Sequence, residues 1–332
     1  MLTSECHQPA FLRASHSPWA FIPQNVLVFV RGILLAFVIA TGVMILSFKL
    51  NEASNFSNWR HIYDFAIDSY FLVFLYHLIT FSWTFTHLYY PHREDIDDGI
   101  ESWLINLMSL PRNLASLRKQ FYFTLFYTVT VVFAFMNTTI YWFITLQAEG
   151  AIGRDGDPEL EPRDPPQPTP APNNYVFRPH QKIEQTFVSK TSLADPNTPF
   201  SNIFGEGWFV AYIVLALYAI PSVLMVFEIF FLNSIKRPIW IGSHLFGLEF
   251  SAGLYLAWAG IGIYLTGWYP FFWLDEIAVG STEAVTAYSI GFVLLAPIMY
   301  VLMQGFVGIR ENLTRSRAEA RAIMAAQEAL EP

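Results

Sequence analysis

The stretch "VLVFVRGILLAFVIATGVMILSF", residues 26–48, decides the fold class of this chain. A bilayer core of about 30 Å is crossed by roughly 20 helical residues, and this apolar run is long enough. Because hydrocarbon offers no water to unpaired backbone amides, such a run is expected to be a helix. Similar runs follow at about 66–90, 121–147, 207–232, 243–267 and 284–306. The sequence therefore predicts an all-α polytopic membrane protein with about six transmembrane helices.

The composition of the whole chain favours the same class. Of 332 residues, 54% are hydrophobic and 17% aromatic, whereas only 14% are charged, which is untypical of a soluble protein. The net charge of −8 argues against nucleic acid as a partner. We expect membrane lipids or apolar small molecules as partners, and the endoplasmic reticulum or the plasma membrane as the location.

The distribution of Lys and Arg predicts the orientation of the helices. Basic residues concentrate in the loops at 91–120 and 234–242 and in the C-terminal tail, so this side and both termini are expected to be cytoplasmic. Asn55, in the first outer loop, begins a sequon and is a predicted glycosylation site. The predicted organisation is a cytoplasmic segment at 1–25, helices 1–3 within 26–147, a Pro-rich acidic extracytoplasmic loop at 148–206, helices 4–6 within 207–306, and a cytoplasmic helical tail at 307–332.

The second helix carries a polar stripe within "LYHLITFSWTFTHLYYPH", residues 75–92. At 100° per residue, His77, Thr80, Thr84 and His87 fall within about 100° of arc. Polar groups in a membrane helix usually face the bundle interior or a wet cavity rather than lipid. The stripe is therefore expected to face inward.

A metal or haem site on this stripe is not expected. His77 and His87 are about 15 Å apart along the helix axis, which is too far for one shared ion. Haem would need partner histidines on another helix at both depths, and only His244 is available. The sequence thus predicts no cofactor and no metal.

The predicted helix directions bring several ionisable residues to one depth. His87 and Glu228 lie near the inner ends of helices 2 and 4, and His244 lies at the inner end of helix 5. A carboxylate beside imidazole and hydroxyl groups can support acid–base or nucleophilic chemistry, and it can equally form a structural hydrogen-bond network. The candidate catalytic residues are Thr80, Thr84, His87, Glu228 and His244.

One segment, "YLAWAGIGIYLTGWYPFFWLDE" at residues 255–276, resembles the signature of the androgen-induced-gene family of multi-pass membrane proteins. Pro221 with Glu228, and Trp59 with Asp68, are similar to residues of that family too. The resemblance covers roughly residues 59–90 and 207–305. Its matching signature residues are Tyr255, Trp258, Thr266, Gly267, Trp268, Tyr269, Pro270 and Phe271.

The resemblance implies an activity whose catalytic residues this chain does not match. Members known as enzymes are intramembrane hydrolases of fatty acid esters of hydroxy fatty acids, with a Thr nucleophile and a His. Phe65 stands at the Thr position, and helix 4 contains no histidine. The candidate catalytic residues of helices 2, 4 and 5 and the resemblance suggest one function, a lipid-handling membrane enzyme, hydrolase-like, with an inner-leaflet polar cavity. The alternative is a non-catalytic membrane scaffold or a carrier of small apolar molecules.

Overall fold

The computed structural model describes residues 9–19, 21–51, 57–90, 99–111, 116–147, 207–237 and 241–328, and the regular structure in these ranges is helical. Asn55 and the predicted loop at 148–206 lie outside the described residues. Two 3₁₀ turns, Asn58–Tyr63 and Phe272–Leu274, and two π turns, Ile140–Thr145 and Glu228–Leu232, accompany the α-helices. The α-helices are α1 Ala10–Ser15, α2 Gln24–Asn51, α3 Phe65–Tyr89, α4 Ile100–Met108, α5 Leu117–Thr139, α6 Trp208–Tyr218, α7 Ile220–Phe227, α8 Ile241–Thr266, α9 Glu276–Val279 and α10 Thr282–Glu328.

Five helices of the described chain are long and apolar enough to cross a membrane: α2, α3, α5 with its π turn, α8, and the part of α10 up to Arg315. The pair of α6 and α7 passes the same test as one bent span, which gives up to six. The break falls at Ala219 because Pro221, at the start of α7, has no N–H to continue the preceding helix. For the described residues, the all-helical architecture with five or six candidate membrane spans is confirmed, and the side on which the termini lie stays a prediction.

The chain divides into two compact units, residues 1–138 with 216–332, and residues 139–215. In the smaller unit, the ring of Trp208 packs against those of Phe209 and Tyr212, with centroids 5.8 and 6.2 Å apart. The candidate site described below lies within the larger unit.

In the larger unit, α2 and α3 pack closely against each other. A Cβ atom on Gly42 would lie 3.2 Å from the ring of Tyr70, and one on Gly32 would lie 3.3 Å from the ring of Phe81. Tyr70 Oη also donates a hydrogen bond to the carbonyl oxygen of Val38 at 2.7 Å. Because residue numbers fall along α2 as they rise along α3, the two helices run antiparallel.

The start of α3 is held by α8. Tyr255 Oη donates to the carbonyl of Tyr63, and Trp258 Nε1 donates to the carbonyl of Ile62, both at 3.0 Å. A Cβ on Gly262 would lie 2.4 Å from Cγ of Tyr63, so the helix and the 3₁₀ turn meet where only glycine fits. The Asp64 side chain then caps α3 by accepting a hydrogen bond from Ala66 N at 3.0 Å.

An aromatic cluster fills the interior at this end of α3. The buried ring of Phe65 lies 4.7 Å from the ring of Tyr255, and 5.2, 5.9 and 5.2 Å from those of Phe133, Phe271 and Phe292. Edge and tilted contacts of this kind add to the burial of apolar area. Phe65 is thus a packing residue shared by four neighbours.

Candidate functional site

A buried ion pair joins α2 to the π turn that follows α7. Arg31 Nη2 lies 3.1 Å from Glu228 Oε1, and the two side chains are 1% and 0% exposed. Each is the sole charged residue of its apolar run, Arg31 between 26 and 48 and Glu228 between 207 and 232. A charge inside a membrane bundle is costly unless it is paired, so each residue supplies what the other requires.

The remaining hydrogen bonds of the Arg31 guanidinium reach two further segments, α1 and α3, and a second residue of the π turn. Nη2 donates to the carbonyl oxygens of Ala14 in α1 at 2.6 Å and of Leu232 in the π turn at 2.8 Å. Nη1 donates to the carbonyl of Thr80 in α3 at 3.0 Å and to Thr84 Oγ1. A single side chain of α2 therefore bonds to α1, α3 and the end of the π turn.

Tyr76 extends the cluster from Glu228 towards α5. Its hydroxyl donates to Glu228 Oε1 at 2.9 Å. Asn233 Nδ2 lies 3.4 Å from the hydroxyls of both Tyr76 and Tyr127, which belong to α3 and α5. All four side chains are buried, so the hydrogen bonds are made away from solvent.

A second buried arginine, Arg310, connects α10 to the same cluster. Its Nη1 donates to the carbonyls of Ile229 at 3.1 Å and Asn233 at 2.9 Å, and to Asn233 Oδ1 at 3.0 Å. Its Nη2 donates to the carbonyl of Ile235 and lies 4.0 Å from Glu311 Oε1. Three of these acceptors are the main-chain carbonyls of Ile229, Asn233 and Ile235, which lie in the π turn or just after it. Backbone oxygens at the C-terminal end of a helix lack intrahelical partners, so a cation is favourable there.

The π turn explains how one short stretch supplies so many of these groups. The amide of Asn233 donates to the carbonyl of Glu228 at 3.1 Å, five residues back, which is the π-helical pattern. The turn ends at Asn233, which adopts an extended backbone. The Glu228 carboxylate and the Asn233 amide consequently both contact Tyr76.

The structure brings three of the five predicted site residues together. Thr80, Thr84 and Glu228 all bond to Arg31, through a carbonyl, a hydroxyl and a carboxylate respectively. The two hydroxyls themselves donate to their own helix, Thr80 Oγ1 to the carbonyl of Tyr76 at 2.9 Å and Thr84 Oγ1 to the carbonyl of Thr80 at 2.6 Å.

The two predicted histidines occupy different surroundings. His87 is exposed at the end of α3, and its ring packs edge-on against that of His16 with centroids 5.1 Å apart. His244 is buried, and its Nε2 lies 2.9 Å from Thr124 Oγ1 of α5. The exposure of His87 means that the inward-facing stripe ends before this residue.

His77 is the histidine of the stripe that lies fully inside the bundle. Neither of its ring nitrogens has a hydrogen-bond partner among the described residues, and its ring lies edge-on to that of Tyr76. Glu228 Oε2 and Arg31 Nε likewise have no partner in the described part of the chain. Buried polar atoms are nearly always satisfied in proteins, so these atoms identify where a water molecule or a reacting group fits.

A small pocket adjoins the α5 side of the cluster. Tyr127, Thr124, Ile235, Lys236 and His244 are among its lining residues, and its volume is about 20 Å³. That volume accommodates about one water molecule. Among the described residues, no group of three His, Cys, Asp or Glu side chains is placed to hold a metal ion.

The residues that the sequence interpretation missed are Arg31, Tyr76, Tyr127, Asn233 and Arg310. The sequence contains a signal for Arg31, because Arg31 and Glu228 are lone charges of opposite sign in two apolar runs and such charges are expected to pair. We call the set formed by these five residues with Glu228, Thr80 and Thr84 the ionic network. No protein-family model, curated protein or solved structure matches the chain, so the chemistry of the ionic network rests on its own geometry.

Proposed function

We propose that the protein is a non-catalytic membrane scaffold whose helices are held together by the ionic network. The observation that carries this proposal is the bonding of the threonine hydroxyls on α3. Both Thr80 Oγ1 and Thr84 Oγ1 donate to main-chain carbonyls, and Thr84 Oγ1 also accepts from Arg31. A hydroxyl nucleophile needs a base within about 2.6–3.2 Å, and here its proton is directed to the backbone.

The burial of the network supports the same proposal. Arg31, Glu228, Tyr76 and Thr80 are nearly inaccessible, and the guanidinium fills the space between α2, α3 and the π turn. An ester substrate would have to displace this packing before reaching a hydroxyl. Phe65, which stands where the family resemblance implies a nucleophile, is surrounded by other aromatic rings.

A scaffold is favoured over a carrier by the small size of the pocket that adjoins the ionic network. Sites for small organic molecules usually enclose about 300–1,000 Å³. The pocket beside His244 offers about 20 Å³, which suits water rather than an apolar cargo. The extensive hydrogen bonding of Arg31 and Arg310 is instead what a fixed arrangement of helices requires.

His77 favours a second candidate, a lipid ester hydrolase. This unpaired imidazole is three residues from Thr80 on α3, and the interior that it shares also contains the unpaired Glu228 Oε2. An imidazole and a carboxylate are the groups from which a base for a threonine is built. In this candidate the base is His77, which is not among the catalytic residues predicted from the sequence.

Labelling with a fluorophosphonate probe distinguishes the two functions. The purified protein in detergent, shown to be folded by a cooperative thermal transition, is treated with the probe and analysed by mass spectrometry, beside a serine hydrolase in the same detergent. The scaffold predicts no modified residue and no turnover of long-chain esters. Labelling at Thr80 or Thr84 that disappears in His77→Ala, but persists in the exposed-site control His87→Ala, would establish the hydrolase and overturn the scaffold.

A further inference from the structure

The short helix α4 presents a row of unpartnered apolar side chains. Ile100, Trp103, Leu104 and Leu107 are 87%, 65%, 46% and 66% exposed. Their spacing of i, i+3, i+4 and i+7 places them on one face of the helix, within about 100° of arc. We call this face the apolar stripe of α4.

The other sides of α4 have different neighbours. Ile105 is buried against the protein, as is Ser109 just after the helix, and Thr86 Oγ1 of α3 lies 3.4 Å from the carbonyl of Met108. Asn106 is exposed, and its Nδ2 donates to Ser102 Oγ at 3.4 Å, which forms a polar edge. The helix thus has one face on the protein, one polar edge and one apolar stripe.

The attachment of α4 fixes its level relative to the membrane-spanning helices. The contact between Thr86 and Met108 lies in the last turn of α3, which ends at Tyr89. The last turn of a membrane-spanning helix lies near the membrane–water interface. Tyr89, the last residue of α3, and Tyr122, near the start of α5, are both exposed. Tyrosine is enriched at the membrane–water interface.

Charges of both signs flank α4 in the sequence, with carboxylates at Glu94, Asp95, Asp97 and Asp98 before it and cations after it. Arg118 and Lys119 are exposed at the start of α5, the next helix along the chain. Cations at this level attract the phosphates of lipid headgroups. Trp103, in the middle of the apolar stripe, has the amphipathic ring that favours the boundary between headgroups and acyl chains.

We propose that α4 is an interfacial helix whose apolar stripe inserts into the phospholipids of the bilayer that the other helices cross. Four large exposed apolar side chains on a helix of nine residues are unfavourable in water, and the end of this helix contacts the last turn of α3. Helices of this type lie in the membrane plane, with the apolar side about 5–10 Å into the headgroup region. The polar edge of Ser102 and Asn106 then faces water.

Site-directed spin labelling tests this proposal on the full chain. Cys6 is the chain's single cysteine, so Cys6→Ser gives a background for Leu107→Cys on the stripe and Asn106→Cys on the polar edge. Each labelled protein is reconstituted in vesicles of phosphatidylcholine and phosphatidylglycerol. Collision rates are then measured with oxygen, which concentrates in lipid, and with a water-soluble nickel chelate.

The expected result is a several-fold higher ratio of oxygen to nickel collisions at position 107 than at the matched position 106. Equal ratios, or preferential access of nickel to position 107, would show a solvent-facing stripe and overturn the proposal. Spin–spin broadening at position 107 that vanishes on dilution with unlabelled protein would identify a second copy as the occupant and also overturn it. Trp103→Cys repeats the measurement if Leu107→Cys does not retain the thermal transition of the parent.

Discussion

Arg31 and Glu228 are 197 positions apart in the chain, and their side chains meet at 3.1 Å inside the bundle. Neither charge would be tolerated there alone, because both side chains are buried and solvent is excluded from them. Arg31 also binds carbonyls of Ala14, Thr80 and Leu232, so the pair fixes the positions of four segments at once. The stability of the bundle should therefore depend on both charges together.

We expect Glu228→Gln to lower the free energy of unfolding by about 3–5 kcal/mol, the usual cost of breaking a buried ion pair. The substitution leaves the Arg31 charge buried and without its counter-charge. The measurement is reversible unfolding in mixed micelles of mild detergent and dodecyl sulfate.

A double-mutant cycle separates the ion pair from general packing. Arg31→Met combined with Glu228→Gln should cost less than the sum of the two single changes, because neither charge is then left unpaired. Arg118→Met, at an exposed position of α5, is the matched control and should change stability little. Strict additivity of the two single changes would contradict the assignment of a coupled pair.

The two buried tyrosines of the ionic network should differ in their contribution to stability. Tyr76→Phe removes a hydrogen bond to the Glu228 carboxylate at 2.9 Å, with an expected cost of about 1.5–3 kcal/mol. Tyr127→Phe removes a longer contact to neutral Asn233 at 3.4 Å and should cost about 0.5 kcal/mol. Both rings are buried and both changes keep the ring, so thermal unfolding reports the hydroxyl alone. Equal costs would show that Glu228 is not the stronger acceptor.

The fold could be predicted because the length of an apolar run is a local property of the sequence. The runs at 66–90 and 243–267 correspond to helices Phe65–Tyr89 and Ile241–Thr266. The break between α6 and α7 was not predicted, although Pro221 provides its local cause. The π turn at Glu228 was also missed, since one extra residue in a helical turn leaves no mark in hydrophobic length.

The candidate site was predicted in part because a sequence gives depth along a helix and not the identity of its neighbours. Thr80, Thr84 and Glu228 were placed together by depth, and Arg31 joins them. Arg310 was counted as a basic residue of the tail, but it is buried against the π turn. Which helices touch depends on tertiary packing, which a single sequence without an alignment does not specify.

The contact between α8 and the 3₁₀ turn predicts opposite effects for two glycines of one helix. Gly262→Ala should lower the free energy of unfolding by about 1–3 kcal/mol, because its Cβ would lie 2.4 Å from Cγ of Tyr63. Gly260 has no atom within 4 Å of a Cβ, so Gly260→Ala should cost nothing and should gain up to about 1 kcal/mol of helix propensity. Thermal unfolding of the two variants is the measurement. A loss in Gly260→Ala as large as in Gly262→Ala would mean that the close approach of Tyr63 is not the cause.

His61, in the same 3₁₀ turn, should make stability depend on pH. Burial, together with the positive charges of Arg60 and Lys49, holds the pKa of His61 below its ordinary value of 6.5. Its Nε2 lies 3.0 Å from the carbonyl of Lys49, an arrangement that the neutral ring can make with its proton on Nε2. The folded protein therefore keeps this ring neutral at a pH where the unfolded chain protonates it.

Because the unfolded state binds more protons, the stability associated with His61 is fully present above about pH 6.5 and is lost as the pH falls towards the lower folded pKa. We expect the thermal transition to shift downward over this interval, and His61→Gln to reduce the shift. Asn106→Gln, an exposed substitution without a titrating group, should keep the slope of the parent. An undiminished slope in His61→Gln would assign the acid sensitivity to other groups, whereas a reduced one would assign it to protonation of the His61 ring.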